Sequence, residues 1–484
     1  MTARYVALLM VLLFSACLVD SIPSPESVTV TSVNLDLNST ESTKASTADL
    51  ENKPGEDVSQ QPSTSLPNSE ASSEANKAEE DEQIPDSTPL MEHFSSEFSV
   101  NITKSNVTDE DLKLWQHVVH SSNQFALQMY KVLKSEDTPL LISPLSIGMV
   151  LGMLWLGSSG KTAMQIAQAL QLPENRSDVI HGFHELFQSL QKDEKHNISL
   201  DIASKLYADS KFVLNEDFYN TITKSFLADA ELLNFVTHPD LARISINQWV
   251  EDHTQSRIKE LLQEGVISAD TKVVMVNAVY FKGFWINQFM KDFTREMPFH
   301  LMNGSIASTP TMLAIGDFPT ANIQHLNCTV LKVPYEGSVS LMVFLPRSQQ
   351  GLPTLEENLL LQDIEEVIPK LENVELHLYF PKFKLEFSTE LENSFHKLGI
   401  DDVFQTKADL SGISPIKGLS VTNVLHKTFL EITEEGSEAS AASAAVLDIR
   451  GGSLSINVDH PFLFVIRDDK TGAILFLGNY RGPE

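Results

Sequence analysis

Ten consecutive residues constrain this chain more than any others. Residues 272–281 read KVVMVNAVYF, an almost wholly apolar, β-branched run interrupted by one asparagine. That is the pattern of a central strand, apolar on both faces rather than alternating. Residues 330–345, 374–387, 427–433 and 462–477 are further strand-rich segments. Helical spacing dominates earlier. Thr108 is a fair N-cap ahead of Asp109, Glu110 and Asp111, and Leu112, Trp115, Val118 or Val119, Ser122, Phe125 and Met129 recur at helical period. A second helical stretch spans residues 146–170. No internal repeat is visible, so the pattern predicts one α+β domain over residues 111–484.

The 484-residue chain carries 35 basic and 65 acidic side chains, a formal charge of −30. This argues against a nucleic-acid partner, which requires a basic face. The charge is unevenly spread: residues 22–111 hold 19 acidic and 4 basic side chains. With Ser, Thr and Pro abundant and no periodic apolar pattern, residues 22–110 are expected to be a disordered extension. Two readings stay open for it, an acidic arm that docks on a basic exosite or a solubilising spacer. Residues 1–21 have a short basic start at Arg4 and an apolar run of about 14, too short to span a membrane. They read as a cleaved secretory signal, with a lipobox ending at Cys17 as the weaker alternative. No later segment reaches transmembrane length, so a soluble, extracellular protein without a membrane partner is expected.

Seven sequons follow, at Asn38, Asn101, Asn106, Asn175, Asn197, Asn303 and Asn327, and glycosylation of several is expected. Removal of the signal leaves Cys328 as the one cysteine, so stability has to come from a large core. Cys328 is either an exposed thiol within its sequon or a buried inert one. No cofactor or metal is expected, because the 14 histidines show no ligand spacing. Trp155 stands where a P-loop ending at Gly160-Lys161-Thr162 needs its first glycine, and Gln188 replaces the second histidine of a zincin motif begun by His184-Glu185. There is no nucleophile elbow, and an enzyme is not expected.

The unusual segment begins at Gly436. From Ser437 to Ala445 every residue is Ala or Ser except Glu438. As a strand, Ser437, Ala439, Ala441, Ser443 and Ala445 would share one face, and Glu438, Ser440, Ala442 and Ala444 the other. Nothing on it is bulky or β-branched, so it could slide between two strands already in place; composition alone would also fit a flexible linker. Arg450 is the one basic residue between Lys427 and Arg467, and would be bait for a trypsin-like protease with an acidic specificity pocket.

These features resemble the serpins. Gly436 with its small-residue run, then VDHPFLF at 458–464, is similar to the family's hinge and C-terminal signature. Residues 123–130, 142–147 (ISPLSI), 276–285 (VNAVYFKGFW) and 424–427 (VLHK) resemble its first helix, shutter, breach strand and hinge approach. The resemblance implies three β-sheets, about nine helices and an exposed reactive-centre loop. It implies a monomeric inhibitor that a serine protease cleaves, is trapped on as a covalent acyl-enzyme, and is disabled by as the loop inserts into the central sheet. Glu434, Glu435, Gly436 and Ser437 match the hinge, and Ala439, Ser440, Ala441, Ala442 and Ser443 the positions that inhibitors keep small. Counting from the hinge glycine puts the reactive bond at Arg450–Gly451, the bait chosen independently above. Ser143, Ser146, Asn277 and His426 match the shutter cluster, and Trp285 the breach. Near residues 181–196 only Lys192 and Lys195 accompany the histidines, so glycosaminoglycan activation is not expected. The alternative is a non-inhibitory serpin acting as carrier or chaperone.

Overall fold

The computed structural model describes residues 109–191, 199–436 and 454–483. The expected central strand forms at Val273–Lys282, nine of its ten residues buried. It lies third in a five-stranded sheet, in the order Phe383–Glu390, Asn423–Ile432, Val273–Lys282, Ser199–Asp209, Asp229–Leu233. The strand Asn423–Ile432 runs parallel to it and is here called the hinge strand. Their shared border, the seam, pairs Asn423 with Val274 and continues through His426–Asn277 to Phe429–Tyr280.

Each face of this sheet has its own apolar cluster. Behind it is the main core, to which Val273, Met275, Val279 and Phe281 contribute. The helix Pro144–Leu156 belongs here and is buried at all thirteen positions, as a helix apolar around its whole circumference must be. A smaller cluster covers the front, where Ala242, Ile246 and Val250 of the helix Pro239–His253, with Ile258, Leu261 and Leu262 beyond it, meet Val274, Val276, Ala278, Tyr280, Leu425 and Phe429.

The helical stretch expected at 146–170 is broken into Pro144–Leu156 and Gly160–Leu170. A Cβ on Gly157 would sit 2.1 Å from Ile413, and Gly160 has φ +54°, so the chain turns here. Arg176 closes the first helix, its Nη2 donating to the carbonyls of Trp155 (2.5 Å) and Leu156 (2.6 Å). The helix expected from Asp109 is observed as Asp109–Leu133; its N-cap Thr108 lies outside the described residues. Nine α-helices are present among the described residues.

Two of the three expected sheets run on into each other. Among the described residues the ladders form two, of five and nine strands. The 18-residue strand Ile306–Ile323 pairs with Arg295–His300 at one end and with Cys328–Pro334 at the other, making one continuous larger ladder. The expected strand 374–387 divides at Lys382, where the chain passes from the larger sheet (Glu372–Pro381) to the smaller (Phe383–Glu390). Cys328 is buried, and burial pushes its thiol up to about 12, an inert group. No described helix is long and apolar enough to cross a membrane.

Candidate functional site: a seam with a latched entrance

Two polar clusters sit on the seam, one at its middle and one at its mouth. At the middle, His426 and Asn277 are directly opposite and both fully buried. The Ser143 backbone N–H donates to His426 Nε2 (3.2 Å), so that nitrogen is an acceptor and the proton is on Nδ1. His426 Nδ1–H then donates to Asn277 Oδ1 (2.5 Å). Burial pushes the imidazole down to about 3, so it is neutral, as this tautomer requires. Asn277 Nδ2 donates to Ser204 Oγ (2.7 Å), and Ser146 Oγ lies 2.8 Å from Asn277 Oδ1. Thr428 Oγ1 donates to the Leu141 carbonyl (2.8 Å). Ser143, Ser146, Asn277 and His426 are thus brought together from three segments. Ser204 and Thr428 were missed, since a Ser or Thr in a strand carries no signal of its own.

At the mouth, the hinge strand ends in a two-residue turn. Thr433 N–H donates to Gly436 O (2.8 Å) and Gly436 N–H to Thr433 O (3.3 Å), enclosing Glu434 and Glu435. Gly436 also bridges Phe284 antiparallel, in the extension of the central strand. Only glycine fits: φ is +147°, and a Cβ would lie 1.9 Å from the Gly283 carbonyl oxygen. Trp285 fixes the turn from the side, its Nε1–H donating to Thr433 O (2.9 Å) and its backbone N–H to Glu435 O (2.9 Å). Its ring stacks on Tyr335 with centroids 4.0 Å apart.

Both hinge carboxylates are buried against cations that no sequence pattern singles out. Glu434 accepts from Lys382 Nζ (2.8 Å) and Thr294 Oγ1 (2.8 Å), and Glu435 faces Lys291 Nζ. Burial raises the Glu434 carboxyl, but the bonds from Lys382 and Thr294 outweigh it and hold the group below the usual carboxylate range. A cavity of about 510 Å³ opens here, lined by Arg257, Lys291, Lys382, Glu431, Thr433, Glu434 and Glu435. Its cations and carboxylates are equal in number, so it is a latched entrance more than a ligand pocket. Among the described residues no group of three His, Cys, Asp or Glu could hold a metal ion.

The expected residues Ser437, Ala439, Ser440, Ala441, Ala442, Ser443, Arg450 and Gly451 lie outside the described residues, as do Asn38, Asn101, Asn106 and Asn197. Asn175, Asn303 and Asn327 are exposed, the last two at turns between strands.

The fold is thus a mixed sheet with a parallel seam and a glycine turn at its mouth. Residues 120–483 match the family model described as Serpin (serine protease inhibitor). The chain belongs to the serpin family. It is 36% identical over 379 residues to the leukocyte elastase inhibitor of Equus caballus, covering 75% of this chain and 98% of that protein. Among solved structures it is similar to uncleaved ovalbumin, with a TM-score of 0.69, 30% identity, and 76% of this chain and 100% of that one covered. It is also similar to human thyroxine-binding globulin solved with its hormone, with a TM-score of 0.70, 26% identity, and coverage of 76% and 99%.

Proposed function

We propose that this serpin is a secreted inhibitor of trypsin-like serine proteases, cleaved after Arg450 and acting by insertion of its reactive-centre loop into the seam. The observation that carries this reading is the pair of registers meeting at Gly436. The hinge turn pairs Gly436 with Thr433, and the bridge pairs it with Phe284, both antiparallel. Continued inward, both registers would set Ser437 between Ile432 and Gly283, and Ser443 between His426 and Asn277. The registers agree at every step because the seam already pairs His426 with Asn277. A strand entering there would be antiparallel to both neighbours and would replace a parallel border, the less stable kind of pairing. On the core side it would offer Ser437, Ala439, Ala441 and Ser443, all small enough for a fully packed interior. Ser443 would bring a hydroxyl to the polar pair that insertion separates. The charged Glu438 would emerge on the front, between Glu431 and Lys282.

Arg450 supports a trypsin-like target over the elastase named for the similar horse protein. An arginine needs an acidic specificity pocket, and a small apolar one does not accept it. The apolar run at 1–21 and the exposed sequons at Asn175, Asn303 and Asn327 support a secreted glycoprotein. A carrier is the second reading, since one solved neighbour is a hormone-binding globulin.

The experiment is incubation of the secreted protein with trypsin, followed by a denaturing gel and sequencing of the released fragment. The expected result is a covalent band at the summed mass and a fragment beginning at Gly451, both lost with Arg450→Leu. Clean cleavage with no complex would sink the inhibitor reading and favour the carrier.

A further inference from the structure

One side chain of the cavity at the mouth reaches the two banks of the seam at once. Arg257 follows the helix Pro239–His253 on the front of the sheet. Its guanidinium lies 6.0 Å from the ring centroid of Tyr280 on the central strand and 5.8 Å from that of Phe429 on the hinge strand. It also reaches Glu431 on the hinge strand, at 4.0 Å. Tyr280 and Phe429 are themselves directly opposite across the seam, their rings 6.0 Å apart at 57°, and both are buried.

These contacts depend on the two strands being neighbours. Adjacent strands are about 4.8 Å apart, and a strand added between them doubles that to roughly 9.6 Å. The two rings would then lose contact, and a guanidinium over both could stay over only one. We propose that Arg257, bracketing the Tyr280–Phe429 pair, holds the seam closed and sets the rate at which a strand enters it. Arg257 is a positioning residue in this account, and the account rests on the insertion reading above. The molecule supplies its own control. Lys384 Nζ lies 4.7 Å from the same Phe429 ring, but it belongs to the strand on the other side of the hinge strand, opposite Glu431. Its contact does not cross the seam and survives opening. The segment carrying Arg257 has other anchors, since Ile258, Leu261 and Leu262 are buried and Lys427 Nζ donates to the Glu260 carbonyl (3.0 Å). Arg257→Gln therefore leaves it seated.

The test is uptake of a labelled synthetic peptide copying residues 437–450 by the full-length protein, followed on native gels. Arg257→Gln is expected to take up the peptide about tenfold faster than the parent, the size of one or two lost cation–π contacts. Lys384→Gln is expected to match the parent, and Phe429→Leu, which keeps an apolar side chain but no ring, to be accelerated. With trypsin, Arg257→Gln should consume fewer inhibitor molecules per protease trapped. Uptake at the parent rate by Arg257→Gln overturns the bracket, whatever happens to its melting temperature, and so does equal acceleration by Lys384→Gln. A parent that never takes up the peptide overturns insertion and bracket together. Uptake that differs as expected while no trypsin complex forms leaves the bracket standing and removes the inhibitor reading.

Discussion

The neutral imidazole at the middle of the seam makes stability depend on pH in a way that can be worked out in advance. In the folded protein His426 is held down to about 3 by burial, whereas in the unfolded chain it titrates near 6.5. Above pH 6.5 neither state binds the proton, and the folded state carries no penalty. As the pH falls below 6.5 the unfolded chain takes up a proton that the folded one refuses, so stability is lost progressively until the folded value near 3 is reached. Integrated between pH 7 and pH 5, this single group costs about 2 kcal/mol. His426→Gln is the comparison, since a neutral amide of similar reach has nothing to titrate. Urea unfolding of both proteins at the two pH values gives four free energies. The carboxylates and the other histidines contribute alike to both proteins and cancel in the double difference. The parent is expected to lose about 2 kcal/mol more than the variant on going from pH 7 to pH 5. Equal losses would mean that His426 is protonated in the folded state, and the tautomer assigned from Ser143 and Asn277 would be wrong.

Three substitutions probe the rest. Gly436→Ala puts a methyl group into the Gly283 carbonyl at an unfavourable φ; it should destabilise the protein by about 1–3 kcal/mol and shift the Trp285 fluorescence, with an unchanged spectrum counting against the hinge turn. Glu356, buried, accepts from Arg481 (3.0 and 3.2 Å), Tyr130 (2.8 Å) and Asn479 (2.9 Å). Glu356→Leu leaves the buried Arg481 without its carboxylate and should cost about 3–5 kcal/mol in denaturant unfolding; a loss below about 1 kcal/mol would refute the coupling. Ser437→Arg should turn the inhibitor into a substrate of trypsin, cleaved with no covalent band, because a buried unpaired charge slows entry of the first inserted residue. Full inhibition by that variant would contradict the register drawn from Gly436.

Much of this was legible before the structure, for reasons that differ from residue to residue. The central strand announced itself because burial on both faces writes a continuous apolar run. Gly436 could be read from its place at the head of the small-residue run and from its resemblance to the family's hinge, and the run because so few surfaces call for one. Ser143, Ser146, Asn277 and His426 were reached through resemblance alone, since a lone Ser, Asn or His in a helix or a strand has no periodic signature. The partners of the hinge were not legible at all. Lys291 and Thr294, from one short segment, and Lys382, from a distant one, look like surface residues, yet they are what makes two buried glutamates tolerable at the mouth of the seam. Arg257 is the extreme case, because its significance is a distance to two strands at once. The break at Gly157 and the joining of two expected sheets through Ile306–Ile323 have the same origin, one long-range contact or pairing overriding a local pattern. On the insertion reading proposed above, local sequence defines what could enter this sheet, and long-range contacts define what keeps it shut. A loop with a faultless small-residue run would still behave as a substrate if the bracket and the latch held longer than the acyl-enzyme lasts.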